Sequence, residues 1–305
     1  MRRTTRRPRR CGRVRADHER RLGPGDSAPA RTVRAALVPD PDEVGATGER
    51  IHDTRVGEVD LTRWRGRAGE AAAERATEVA RRRGPYAALA LALLVAVAIL
   101  AVATALVLWI YASITTDRGV AGLDQPILTG LIALRSPTLD VALTAVTTTA
   151  GTIGMPIIAL VAMTTLALRR RSWTPVVLIA TTGVVSVLLT IVGKRFIDRV
   201  RPPRTDAVPP FELSESFPSG HTLNAVAIVG VIAYLLILRR SSARARVAIA
   251  LVAAAYVVVI GFTRVFLGHH WFTDVLAGLV LGVAWLALVI TAHRLYLTVR
   301  ARAST

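Results

Sequence analysis

Cysteine and lysine are nearly absent from this chain. Cys11 is the single cysteine in 305 residues, which excludes an intramolecular disulfide and any site built from several thiolates. Lys194 is the single lysine among 39 lysines and arginines. So biased a composition supplies arginine wherever a generic positive charge suffices, so the one ammonium marks a place suited to a compact cation rather than a planar fork. A short apolar core near Met1 is missing as well. The first apolar run begins after residue 85 and is far longer than the core of a secretory signal, so it is expected to stay in the mature protein. Charge, finally, is missing from long stretches between Pro85 and Ile290.

What is present is 52% apolar and yet carries a net charge of +18. On a soluble chain, clustered arginine would raise nucleic acid as a partner, because arginine neutralises phosphates and releases counterions. Here the charge is segregated into residues 1–83 and a few short loops. A membrane domain with arginine gathered on its cytoplasmic side accounts for that pattern, and no nucleic-acid partner is expected.

A bilayer core takes about 20 apolar residues per helix. Six runs of that order follow one another at 86–114, 139–168, 174–194, 221–238, 246–264 and 271–292. The expected fold is therefore all-α: a polytopic membrane bundle of six transmembrane helices over residues 84–295, with a short cytoplasmic tail at 296–305. The second run holds Gly151, Gly154 and Pro156, which should break or kink it. Segment 120–134, with Asp124 and Pro126 among apolar residues and Arg135 just beyond, reads as an interfacial helix.

Arg81–Arg83, Arg169–Arg171, the group Arg239, Arg240, Arg244 and Arg246, and finally Arg294, Arg300 and Arg302 all fall on one side of such a bundle. By the positive-inside bias that side is the cytoplasm, which puts both termini there. One loop breaks the bias. Residues 194–204 place Lys194, Arg195, Arg199, Arg201 and Arg204 on the outer side, and binding an anion there is the reading that explains them. Residues 1–83 mix arginine with Pro, Gly, Asp and Glu, and are expected to be a largely disordered cytoplasmic extension. Gly69–Arg83 favours a juxtamembrane helix, with Glu70 and Glu74 early and arginines late. Two readings of the extension stay open: adhesion to anionic headgroups, at about 1 kcal/mol per basic residue near the surface, or a solvated tail.

Three polar clusters sit at the outer ends of four different spans. They are Lys194 with Arg201-Pro202, then Pro218-Ser219-Gly220-His221, then Arg264 with His270 and Asp274. Ionisable groups at that depth are costly and are functional candidates by default. Of the six histidines, His221, His269 and His270 lie here, while His18, His52 and His293 lie elsewhere. His270 and Asp274, four apart at a helix start, share a face. A carboxylate so placed can take the proton of one ring nitrogen and leave the other free, as a nucleophilic or basic imidazole needs. The same pair could equally be a plain helix-start hydrogen bond. The Ser219 hydroxyl and the free amides at Gly220 read either as an anion cradle or as an ordinary helix cap. Several cations and one carboxylate suit a hydrolytic metal ion poorly, so neither metal nor cofactor is expected, with arginine and lysine supplying the positive charge instead.

Together these residues resemble the type 2 phosphatidic acid phosphatase superfamily, whose signature runs K-x6-R-P, P-S-G-H and S-R-x5-H-x3-D. The chain reads Lys194-x6-Arg201-Pro202, Pro218-Ser219-Gly220-His221 and Thr263-Arg264-x5-His270-x3-Asp274. Thr263 stands where the family usually has serine, and spacing selects His270 rather than His269, leaving His269 as a neighbour able to tune it. The resemblance implies a lipid phosphate or diphosphate hydrolysed at the outer face of the cell membrane. It implies His270 as nucleophile with Asp274 fixing its tautomer, and His221 as the acid and then the base. Lys194, Arg201, Ser219, Gly220 and Arg264 would hold the phosphate oxygens.

Phosphatidate, phosphatidylglycerol phosphate, undecaprenyl diphosphate and other prenyl phosphates all satisfy that pattern. Vanadium-dependent haloperoxidases resemble the same motifs but are soluble. A membrane scaffold or anion transporter would use the basic cluster without needing the His270–Asp274 pair.

Overall fold

The structure is a computed structural model that describes residues 55–56, 59–60 and 85–303, with side-chain detail from 93 to 298. The expectations for the rest of residues 1–83 lie outside the described residues. Within that extension two short strands, β1 (Arg55–Val56) and β2 (Val59–Asp60), pair antiparallel. All other regular structure described is helical.

Helix α1 spans Pro85–Thr116. A 3₁₀ turn at Gly119–Leu123 leads into α2 at Asp124–Ile132, where the sequence predicts an interfacial helix. After α3 (Pro137–Thr148) and α4 (Gly154–Arg170) come α5 (Thr174–Ile197), α6 (Gly220–Ile237), α7 (Ala243–Phe266) and α8 (Phe272–Ala303). Among the described residues five helices are long and apolar enough to cross a bilayer: Leu93–Thr116 within α1, then α5, α6 and α7, and Phe272–Thr298 within α8.

The expectation of six single-helix spans is corrected at residues 139–168. That run is divided into α3, of 12 residues, and α4, of 17, both shorter than the roughly 20 residues of a typical span. Ser136 caps α3 by accepting from the Leu139 amide, with Pro137 at its first position. The chain then turns at 149–153, and α4 restarts at Gly154. A Cβ on Gly154 would lie 2.7 Å from the Thr149 Cα, so no larger residue fits the turn as it stands. Pro156 sits near the start of α4, where a missing N–H costs nothing.

The other helices end where the site begins. Helix α5 stops at Asp198, whose φ of 44° is left-handed and whose amide donates to the Lys194 carbonyl. Asp tolerates that conformation better than most residues. Helix α6 contains a π turn at Ala225–Val229, and Ala225–Ile228 are buried there. Helices α6 and α8 approach closely because α8 presents Gly278 and Gly282 to α6. A Cβ at Gly278 would lie 2.6 Å from the Ser219 carbonyl oxygen, and one at Gly282 would lie 2.7 Å from the Val226 Cβ. Small residues four apart let helix backbones pack tightly in an apolar solvent that gives helices no hydrophobic reason to associate. This contact brings the Ser219 amide within 3.0 Å of the Asp274 main-chain oxygen.

Ile110, Phe217 and Ala277 form an apolar cluster on one side of the polar end. Ile179, Val231, Leu235, Leu238, Val289 and Leu297 form another toward the opposite end. Outward-facing Leu94, Val102, Val184, Val252 and Val258 are exposed, as apolar helix faces are when lipid is the solvent.

Candidate active site

Four helix ends and two loops converge. The last turn of α5 supplies Lys194, the start of α6 supplies His221, the last turn of α7 supplies Arg264, and α8 supplies Asp274. Between α7 and α8 the chain reverses through Gly268 at φ +72°, where any Cβ would collide with the Asp206 carbonyl. The turn is closed by the His269 and His270 amides, each donating to the Arg264 carbonyl at 3.1 Å. Arg264 and His270 are thereby tied together by backbone.

A carboxylate stands at the centre of the cations. Glu212, from the loop between α5 and α6, accepts from Arg264 and, at 2.8 Å, from Arg201. Its oxygens lie 3.9 Å from His221 Nδ1 and 4.0 Å from His270 Nε2. Burial alone would raise the Glu212 pKa, but attraction to Arg264, then His270 and Arg201, holds it well below the usual carboxylate range. Arg264 is 1% exposed, so its charge depends on that partner. Arg201 also meets His270 Nε2 at 3.2 Å and the His269 carbonyl. Lys194 and Arg201 share Ser214 and the Glu215 carbonyl.

His270 is buried, and burial, then Arg201 and Arg264, push its pKa well below the ordinary histidine value of 6.5. The imidazole is therefore neutral at neutral pH, with a lone pair available. Its Nδ1 lies 3.5 Å from Asp274 Oδ2, close but outside a well-made hydrogen bond. That oxygen instead accepts from Ser216 Oγ and, at 2.9 Å, from the Trp271 amide. Asp274 Oδ1 accepts from Arg199 at 2.6 Å.

Ser219 and Gly220 sit at the edge of this cluster without touching Glu212. The Ser219 hydroxyl is 3.1 Å from that of Thr222, and a Cβ on Gly220 would lie 2.9 Å from the Thr190 Cγ2 of α5. In this state Gly220 serves helix packing. The Thr263 hydroxyl donates to the Ile260 carbonyl at 2.7 Å within its own helix. His269 turns away to the Val208 carbonyl at 2.7 Å, and burial, then Arg264, lowers its pKa to about 4.

Four residues that sequence reasoning did not place here are Glu212, Ser216, Arg199 and Asp124. Glu212 had a signal, being a carboxylate in the loop that joins two of the cationic motifs. Arg199 stood out only as a cation on the outer side. Asp124 showed only as an acid in an apolar segment, and Ser216 carried no signal. Phe211, Glu212, Leu213, Ser214 and His269 wall two cavities, of about 430 and 360 Å³, on either side of the 211–214 segment. Among the described residues no three His, Cys, Asp or Glu side chains are grouped as a metal site requires.

Comparison with known proteins bears on the same region. The model of the PAP2 superfamily matches residues 171–296, which contain all three motifs. Phosphatidylglycerophosphatase B of Bacillus subtilis (strain 168) is 32% identical over 186 residues, covering 60% of this chain and 90% of the relative. The crystal structure of a transmembrane PAP2-type phosphatidylglycerolphosphate phosphatase from Bacillus subtilis matches with a TM-score of 0.57 at 29% identity. It covers 62% of this chain and 92% of the other. Motif order, the gathering of the motifs at one end of the bundle and these likenesses agree: the chain belongs to the PAP2 superfamily, the type 2 phosphatidic acid phosphatases.

Proposed function

We propose that this protein is an integral-membrane phosphatase that hydrolyses a phosphomonoester or diphosphate of a lipid through a phosphohistidine. One observation carries the reading. Arg264, Arg201, His221 and His270 surround a single carboxylate, which stands where a substrate phosphate would stand. A phosphate entering this place displaces Glu212 and meets Arg264, Arg201 and Lys194, which neutralise its non-bridging oxygens. His270 Nε2, unprotonated, attacks phosphorus in line. His221 protonates the leaving oxygen and then activates the water that cleaves the phosphohistidine. Asp274 stabilises the cationic imidazole, closing the 3.5 Å gap to Nδ1 as charge develops. Ser219 and Gly220 complete the cradle once phosphate replaces Glu212.

Three further elements belong to this proposal. Residues 84–295 form the phosphatase domain, flanked by the extension at 1–83 and the tail at 296–305. Helices α3 and α4 together make one broken crossing, which brings the number of spans to six. The arginine-rich loops lie in the cytoplasm and the site at the outer face, as the positive-inside bias favours. Phosphatidylglycerophosphate is the first substrate to try, because the similar Bacillus proteins are phosphatases of that lipid.

The test is phosphate release by the full chain in detergent from phosphatidylglycerophosphate, phosphatidate and a prenyl diphosphate, with and without EDTA. Turnover of at least one lipid, undiminished by EDTA and absent in His270→Ala, is expected. No release from any of them, or activity that returns only on adding a divalent metal, contradicts the reading.

A further inference from the structure

Arg199 is clamped between two buried carboxylates from distant parts of the chain. Its Nη2 donates to Asp124 Oδ2 at 2.7 Å, and its Nη1 donates to Asp274 Oδ1 at 2.6 Å and to Thr273 Oγ1 at 2.6 Å. Its guanidinium carbon lies 5.6 Å from the centre of the Trp271 ring. Asp124 is 4% exposed and Asp274 is fully buried, so both carboxylates depend on protein partners. Asp124 does more than hold Arg199. Its Oδ1 accepts from the Thr273 amide at 2.8 Å and its Oδ2 from the Thr273 hydroxyl at 2.7 Å. The first residue of α2 thus caps the start of α8, 149 positions away, satisfying an amide that has no partner within its own helix.

We infer that Asp124 and Arg199 are positioning residues for the reaction: they fix the orientation and the net charge of Asp274, and act on His270 only through it. Both the geometry and the charge of the cluster assign this role, given the phosphohistidine reading above. A carboxylate turns easily about its last torsion, so external bonds must fix which oxygen faces the imidazole. Arg199 holds Oδ1, and with Ser216 and the Trp271 amide on Oδ2 this keeps Oδ2 toward His270 Nδ1. Arg199 alone, however, would cancel the charge that Asp274 needs to stabilise a cationic phosphohistidine. Asp124 restores it: two carboxylates and one guanidinium sum to a single negative charge beside His270. Neither side chain hydrogen-bonds to Arg201, Arg264 or Lys194, the cations set to hold phosphate, so catalysis and phosphate binding are separable here.

A double-mutant cycle in the full-length detergent-solubilised protein tests this. Asp124→Asn and Arg199→Lys keep the size and part of the hydrogen bonding, and each is made in the wild-type and Asp274→Asn backgrounds. In the wild type each lowers kcat by about 10- to 100-fold, the usual scale for partners that orient a reacting group, with KM within about twofold. In Asp274→Asn the same changes cost less than about threefold, because the residue they act through has already lost its charge. Inhibition by inorganic phosphate stays within about twofold throughout, reporting an intact phosphate site. An equal fall in both backgrounds, unchanged kcat in both single variants, or loss of phosphate inhibition overturns the inference. Wild-type turnover by Asp274→Asn alone is a separate failure, that of the histidine mechanism itself.

Discussion

Arginine bonds main-chain carbonyls at both ends of the helical bundle, but at the site end it also meets a side-chain anion. At the end opposite the site, Arg170 and Arg246 bond main-chain carbonyls. Arg170 donates to the Leu235 carbonyl, and Arg246 donates to the carbonyls of Arg240 and Ser241 at 3.1 and 2.8 Å. Those carbonyls close helix α6 and the turn after it, where cations are favoured by the helix dipole. Among the described residues the one histidine there is His293, which shares a 2.8 Å bond with the Tyr234 hydroxyl. At the site end, Arg264 and Arg201 meet a carboxylate from a loop, and two imidazoles stand beside it. A carbonyl partner is permanent and fixes the fold. A side-chain anion can be exchanged for another anion, and that exchange is what a phosphate site requires.

The contrast is broken most severely by His270→Ala. Loss of about 10⁴-fold or more in kcat is expected, the scale on which nucleophiles and their bases act. Inhibition by inorganic phosphate should survive that change, and wild-type turnover would place the nucleophile elsewhere. A paired substitution compares the two ends directly. Arg264→Ala should cost about 10²- to 10³-fold in kcat, as for removal of one charge-stabilising group, whereas Arg246→Ala should leave kcat within about twofold. Equal losses at the two ends would erase the distinction.

Glu212→Gln sharpens it. With the internal anion gone, the cations are open to substrate in every molecule, and KM should fall by about three- to tenfold. The same variant leaves Arg264 without its ionic partner, so added phosphate should raise the melting temperature more than it does in the wild type. An unchanged KM would mean that Glu212 does not compete with substrate.

The smallest effect is in pH dependence. In the proposed mechanism the neutral form of His270 is the active one, and burial, then Arg201 and Arg264, push its pKa well below 6.5. The acid limb of kcat/KM, which reports the free enzyme, should therefore fall below 6.5, with activity retained as pH drops through that value. Glu212, held in its ionised form by Arg264, His270 and Arg201, should add no limb of its own above that one. A limb at or above 6.5 would contradict the buried, cation-flanked setting of the imidazole.

Much of this was legible along the chain because it is carried by local pattern. The spans that became α1, α5, α6, α7 and α8 are unbroken apolar runs, and a run of that length has few alternatives in lipid. The run at 139–168 failed as one helix for a reason also visible in it, the glycines and proline at 151–156. That Lys194, Arg201, His221, Arg264, His270 and Asp274 would gather at one end of the bundle is legible from spacing, because each lies within a turn or two of a predictable helix end. Glu212, Arg199 and Asp124 are not so placed. Each has a partner far along the chain, 52, 75 and 149 residues away, and pairing at such distances is set by how the helices pack, which no periodicity records. Asp124 shows this best: an acid that looked merely out of place in an apolar segment is the cap of the helix that carries Asp274.

The most direct measurement is a structure of the protein with orthovanadate, which takes the five-coordinate shape of phosphorus in transfer. Vanadium bonded to His270 Nε2, with His221 across from it and Glu212 withdrawn from Arg264, is the predicted result. Vanadate bound away from both histidines, with Glu212 still lodged between Arg264 and Arg201, would contradict the account.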